Sequence, residues 1–213
     1  MRNLNELLAA PNPAWPLVQS WIAEASNPVE VLPPHKESRA ESLLAIQVTV
    51  GSVLGAFACE TGGLLVDHGW VRVLGSGHPR LTRSVASWNT GRTIRQPGQT
   101  PPFVLVADDV LGGFFAINGG AFDAEPGLVC YFTPDSLEWE SLEIPHSEFV
   151  MWLLSGDLAK FYEGFGGMDG RPKSARFRAT WRIRSTRSSP PKPTPSRTAA
   201  GCRCLSRSCT AST

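Results

Sequence analysis

The sequence predicts an α+β domain, with helices packed on one face of a central, mainly antiparallel sheet, followed by a basic, disordered C-terminal tail. Three observations carry this. Helical periodicity opens the chain, short apolar runs broken by Gly, Asp, Asn and Pro fill its middle, and apolar residues at helical spacing close residues 1–165. Helices, then strands, then helices is an α+β order. A chain of 213 residues, 42% of them apolar, buries one good core rather than two, so 1–165 reads as a single domain.

From Ala14 to Ala25, Val18, Trp21 and Ile22 recur at helical spacing after Pro13, and Asn27-Pro28 ends the pattern. A second helix is expected from near Glu37 to Leu44, where the β-branched Ile46, Val48 and Val50 suggest a strand. The Gly62-Gly63 pair then separates "VLGAFACE" from "LLVDHGWVRVLG", read together as a hairpin or meander in which Gly69 requires a bulge or kink. In "HPRLTRSVASWN", Leu81, Val85 and Trp88 predict a short helix opened by Pro79, and 89–102 a loop. "FVLVADD" (103–109), "GGFFAINGG" (112–120) and "LVCYF" (128–132) are three antiparallel strands at the sheet centre. Pro134 and Asp135 turn the chain out, and "IPHSEFVMWLLSGDLAKFYEGF" reads as two helices, the second capped by Ser155 or Gly156.

The net charge of +1 hides two opposite segments. Residues 1–165 carry nine Lys or Arg against eighteen acids, a net −9, while 166–213 carry eleven against Asp169 alone, a net +10. An acidic body argues against nucleic acid as its partner, because phosphate contacts need clustered Lys and Arg. Cys59 and Cys130 are the body's two cysteines and suggest a reduced compartment. No secretory signal opens the chain. The uncharged stretch 42–59 contains Gln47, Thr49, Gly51, Ser52 and Gly55, a poor membrane span, so a cytoplasmic protein with no membrane contact is expected.

Three readings compete for the tail: a nucleic-acid-binding basic arm, a featureless linker, or a frameshifted product. The genetic code favours the third. Joining the third base of each codon to the first two of the next, Phe165-Gly166 yields only Arg or Trp, Met168-Asp169 forces Gly, and Asp169-Gly170 again yields only Arg or Trp. Gly166-Gly167 permits Trp, and the stretch can then become Phe-Arg-Trp-Asp-Gly-Trp. On this reading the basic residues and cysteines of the tail carry no functional weight, and "CRC" with Cys209 lacks the spacing of a zinc site.

The densest polar stretch, 67–83, gathers Asp67, His68, Trp70, Arg72, His78, Arg80 and Arg83 among glycines. An Asp beside a His can orient an imidazole, and paired Arg can hold an anion. On a strand, however, Asp67 and His68 point to opposite faces, and no matching nucleophile is apparent; the plainer reading is a turn-rich hairpin whose polar residues bond loops and cap a helix. Asn118 in "INGGAF" is expected to bond its own backbone in a turn needing positive φ. Trp70, Trp88, Trp139 and Trp152 can supply a binding platform, but Trp88 and Trp152 fall on apolar helix faces and are expected in the core. Asp108-Asp109 and "LEWESLEIP" are read as negative surface. The four histidines lack ligand spacing, so no metal, cofactor or catalytic residue is assigned.

The segments "LLVDHGWVRVLGSGHPRLTRSVASWN", "GGFFAINGGAF", "YFTPDSLEWESL" and "FVMWLLSGDLAKFYEGF" resemble the bacterial domain-of-unknown-function 2625 family (DUF2625) over nearly all of 1–165. The resemblance implies that the chain after the "SGDLAKFYE"-like helix continues with Arg-Trp, a further Trp, a Tyr-Pro stretch and a Leu-containing strand; this sequence departs at Gly166, and the shifted frame restores much of that pattern. It implies no activity. A looser likeness to the SMI1/KNR4-like (SUKH) group implies an immunity or interaction protein, by analogy alone. The expected function is a non-enzymatic protein-binding domain that uses its acidic surface and the glycine-rich loops around 67–83 and 112–122 to hold a basic protein, in its sharper form a toxin. The alternative is a small-ligand binder or enzyme using the 67–83 cluster.

Overall fold

Among the described residues seven strands pair in the order in which the chain supplies them, every neighbouring pair antiparallel. The computed structural model describes residues 1–96 and 99–163. The tail 166–213 and the reading of it as disordered or frameshifted lie outside the described residues.

Helices α1 (Leu4–Leu8) and α2 (Trp15–Ala23) precede β1 (Val29–Leu32); α3 (Lys36–Ile46) and α4 (Val53–Glu60) lead into the hairpin β2 (Gly63–Val66) and β3 (Val71–Leu74). After α5 (Val85–Asn89), β4 (Phe103–Asp109), β5 (Phe114–Asn118), β6 (Leu128–Phe132) and β7 (Trp139–Pro145) extend the sheet, and α6 (His146–Ser155) and α7 (Leu158–Tyr162) follow. The fold is α+β with an antiparallel sheet, as expected, and β4 is its central strand.

Residues paired directly across neighbouring strands share a face. On the inner face Val73, Ala107, Phe115 and Tyr131 form one row, each no more than 2% exposed. Phe149 of α6 meets Phe115 there at 4.8 Å between rings. Helix α4 packs behind, buried from Leu54 to Cys59 and touching α2, α3 and α6. The other face carries the row Arg72, Asp108, Phe114, Phe132, Trp139, in which the three rings are only half-buried.

Several local expectations are corrected. "VLGAFACE" is helix, not strand: Ser52 Oγ accepts the Gly55 N–H at 3.0 Å and so caps it. A helix apolar on every side shows no periodicity to distinguish it from a buried strand. Residues 46–50 form no strand either; α3 runs to Ile46 and stops at Gln47 in a left-handed conformation (φ 54°), its side chain returning to the Leu44 carbonyl at 2.8 Å. Pro79 does not open α5, which starts at Val85 behind a Ser84–Ser87 capping box, and Asp157, not Ser155 or Gly156, caps α7. Helix α1 and strands β1 and β7 have no counterpart among the expected elements.

Candidate functional site

The β2–β3 turn and the end of β4 lie side by side, because Arg72 pairs with Asp108 in register. The Arg72 guanidinium donates to both Asp108 oxygens, Nε to Oδ1 and Nη2 to Oδ2, each at 2.9 Å, and to the Asp109 carbonyl. Arg83 reaches the same carboxylate at 2.6 Å, and its guanidinium lies 5.0 Å from the ring centre of Trp88. Burial pushes the Asp108 carboxyl up, and the two guanidiniums oppose that push.

Asp109 turns to the inner face. Its Oδ1 accepts the N–H groups of Leu111 and Gly113 at 2.9 and 2.8 Å; its Oδ2 accepts the hydroxyls of Tyr131 and Tyr162 at 2.7 and 3.1 Å. Burial and the nearby carboxylate push both phenols up. A Cβ at position 113 would lie 2.3 Å from the Tyr131 hydroxyl, so the turn requires glycine there. Asp108 and Asp109 are therefore only 2% and 1% exposed, which corrects their assignment to the negative surface.

The polar stretch 67–83 does not converge. Asp67 and His68 stand at the tip of the β2–β3 hairpin with φ of 47° and 57°, in a turn rather than on a strand, and Gly69 (φ 87°) belongs to that turn instead of a bulge. His78 is at the other end of β3, where Nδ1 accepts the Arg80 N–H at 3.1 Å. Arg80 pairs with Glu30 of β1 at the surface, Nη2 to Oε2 2.9 Å, and holds that carboxyl below its usual range. Trp70 stands edge-on to Tyr162 at 5.6 Å, its indole N–H buried and unpartnered. Asn118 ties its own loop: Oδ1 accepts from Gly120, Ala121 and Phe122, and Nδ2 donates to Ala124 at 2.7 Å. The structure joins Arg72 and Arg83 and leaves His68 and His78 apart. Among the described residues no group of His, Cys, Asp or Glu is arranged to hold a metal ion, and no helix is long and apolar enough to cross a membrane.

Sequence reasoning named Trp88 and Trp139 among four tryptophans that can supply a platform, but missed that they join Phe114, Phe122 and Phe132 in one aromatic surface. Trp88 meets Phe114 at 5.5 Å, Phe114 stacks on Phe132 at 5.9 Å, Phe132 meets Trp139 at 5.4 Å, and Trp139 stacks on Phe122 at 4.4 Å. All five are half-buried, Trp88 included, where a core position was expected. Four of the five rings come from the stretch between Arg95 and Lys160, which has ten acids and no Lys or Arg, two of the ten being the buried Asp108 and Asp109, while Trp88 carries the Arg83 guanidinium. Asp123, Glu125, Asp135, Glu138 and Glu143 are exposed. Partial burial, then Asp135 and Glu138, push the Glu140 carboxyl up.

Fold and surface together define an α+β domain with an antiparallel meander, a closed polar network at its centre and a half-buried aromatic outer face. The chain belongs to the family described as protein of unknown function DUF2625, which it matches over residues 4–177. It is 43% identical over 185 residues to the uncharacterised protein YbfG of Escherichia coli (strain K12), covering 84% of this chain and 82% of that one. It is 38% identical over 164 residues to an uncharacterised protein of Haemophilus influenzae, covering 77% and 72%.

Proposed function

We propose that this chain is a cytoplasmic, non-enzymatic protein-binding domain that receives a basic partner on the aromatic outer face of its sheet. The observation that carries the reading is the run of half-buried rings from Trp88 to Trp139 together with a stretch, from Arg95 to Lys160, that has eight acids outside the buried Asp108-Asp109 pair and no Lys or Arg between its ends. Aromatic side chains are enriched at protein contacts, and a one-sided rim steers a partner of opposite charge. A basic toxin is one member of that partner class. The experiment is affinity capture from the native host's lysate with the full chain. A basic protein is retained at low salt, released above about 0.5 M salt, lost with Trp139→Ala combined with Phe114→Ala, and kept by His68→Ala combined with His78→Ala. Retention that survives the aromatic substitutions and fails with the histidine ones replaces this reading by the ligand-binding one.

The same reading gives 166–213 no part in binding and takes it as the product of a shifted frame. Sequencing the gene across codons 160–175 and onward tests this. An open shifted frame beginning Phe-Arg-Trp supports it, and stops in that frame refute it.

A further inference from the structure

The acidic body has one basic segment. Between Asp67 and Asp108 the chain carries Arg72, Arg80, Arg83, Arg92 and Arg95 and no acid. Arg80 is engaged by Glu30, and Arg92 donates to the Trp88 carbonyl at 3.0 Å. Arg72 and Arg83 instead converge on the single carboxylate of Asp108, while Asp109 faces the other side of the sheet and is occupied by its own four donors. One positive charge is therefore left over on the outer face. Asp108 is buried, yet the Arg72 and Arg83 side chains are 30% and 37% exposed. Among the described residues Nη1 of neither guanidinium is in a hydrogen bond, and Arg83 Nε is buried with no partner. A buried donor without an acceptor calls for an explanation: Arg83 is held by charge and by the Trp88 ring, and its fork is unused. Apolar surface adjoins it. Phe114 pairs with Asp108 on the same face, and Trp88 meets both Phe114 at 5.5 Å and the Arg83 guanidinium at 5.0 Å.

We propose that this corner is a binding site for a carboxylate carried on an apolar body. The carboxylate accepts from the unused N–H groups of Arg72 and Arg83, for which the guanidinium fork is the matching shape, and the body rests against Phe114 and Trp88. One leftover positive charge suits a monoanion and so selects a carboxylate over a phosphate dianion. Asp108 is a positioning residue that holds two mutually repelling guanidiniums together. The site goes beyond the basic-partner reading, since it needs no basic protein. A free small acid and the C-terminal end of a peptide present the same group.

The probe is phenylacetate, titrated into the full chain while the arginine Nε–H and tryptophan indole resonances are followed by NMR. Saturable binding in roughly the millimolar range moves the Arg72, Arg83 and Trp88 signals and leaves Arg80 in place. Phenylacetamide, with the same shape and no charge, binds roughly tenfold more weakly. Arg83→Gln weakens phenylacetate by a similar factor, and Arg83→Lys restores only part of it, because a point charge lacks the fork. A peptide ending in phenylalanine, with free and with amidated C-terminus, separates the sources: tighter binding of the free-ended peptide than of phenylacetate assigns a chain end, and the reverse assigns a free acid. Equal binding of phenylacetate and phenylacetamide to the unaltered chain overturns the site, as does unchanged binding to Arg83→Gln. Absence of binding by both phenylacetate and the free-ended peptide up to about 50 mM also overturns it. Inorganic phosphate binding as tightly as phenylacetate overturns the carboxylate assignment. Lysate capture reads the basic partner separately, so either reading can fail alone.

Discussion

The Asp109 carboxylate accepts two backbone N–H groups and two phenol hydroxyls, so all its hydrogen bonds require acceptors on that side chain. Asparagine has nearly the same shape but presents an NH2 to two of these four donors. Asp109→Asn is expected to destabilise the domain by about 3 kcal/mol, because it leaves buried donors unpaired; a urea titration reads this as a fall in midpoint at unchanged slope. Ser42 is the opposite case, fully buried with no partner for its hydroxyl. Ser42→Ala removes an unsatisfied group, and the same titration should show no loss or a gain of up to about 1 kcal/mol. In the sequence, Asp108 and Asp109 look alike. Side chains alternate along a strand, so adjacent acids enter different networks, and which side is buried depends on partners 36 and 22 residues away, Arg72 and Tyr131.

Asn89 acts at the scale of an element. β4 pairs with β3 only from Ala107 to Asp109, and farther down the strand the Asn89 carboxamide donates to the Leu105 carbonyl at 2.9 Å and accepts the Leu105 N–H at 2.8 Å. One side chain at the end of α5 thus replaces a strand partner beside the irregularity between Leu105 and Ala107. Asn89→Ala is expected to cost about 2–4 kcal/mol, since it orphans two buried backbone groups. Hydrogen exchange at the Leu105 amide should rise more than at Phe115. The three strands around this feature were legible from their apolar runs and turn residues. β7 was not, because the bend at Glu143 breaks the period-two pattern after Ser141 and leaves a segment that reads as charged loop. The aromatic face was only partly legible for a related reason: its five rings come from three strands, one loop and one helix, and strand register brings Phe114, Phe132 and Trp139 into one row.

For the whole molecule, pH acts through His146, buried between Phe57 of α4 and Phe149 with Nε2 unpartnered. Burial depresses its pKa to about 4 in the folded chain from the ordinary 6.5. Between those values the unfolded chain binds the proton and the folded one does not, so stability is full above about pH 6.5 and declines as pH falls toward about 4. Below that, this group adds no further loss. His146→Leu should flatten that part of a plot of unfolding free energy against pH.

The meander has a kinetic consequence. Each strand pairs with the one preceding it, so no strand waits for a later segment to find its neighbour. The widest gaps are the two helices between β1 and β2 and the α5 segment between β3 and β4. Contacts close in sequence form with little loop entropy to overcome, which favours rapid folding. During synthesis the sheet can be laid down one strand at a time as the chain leaves the ribosome. β4, the middle one of the seven described strands, is at that stage the growing edge, with the Asp109 carbonyl already beside Arg72 and Tyr131 still to arrive.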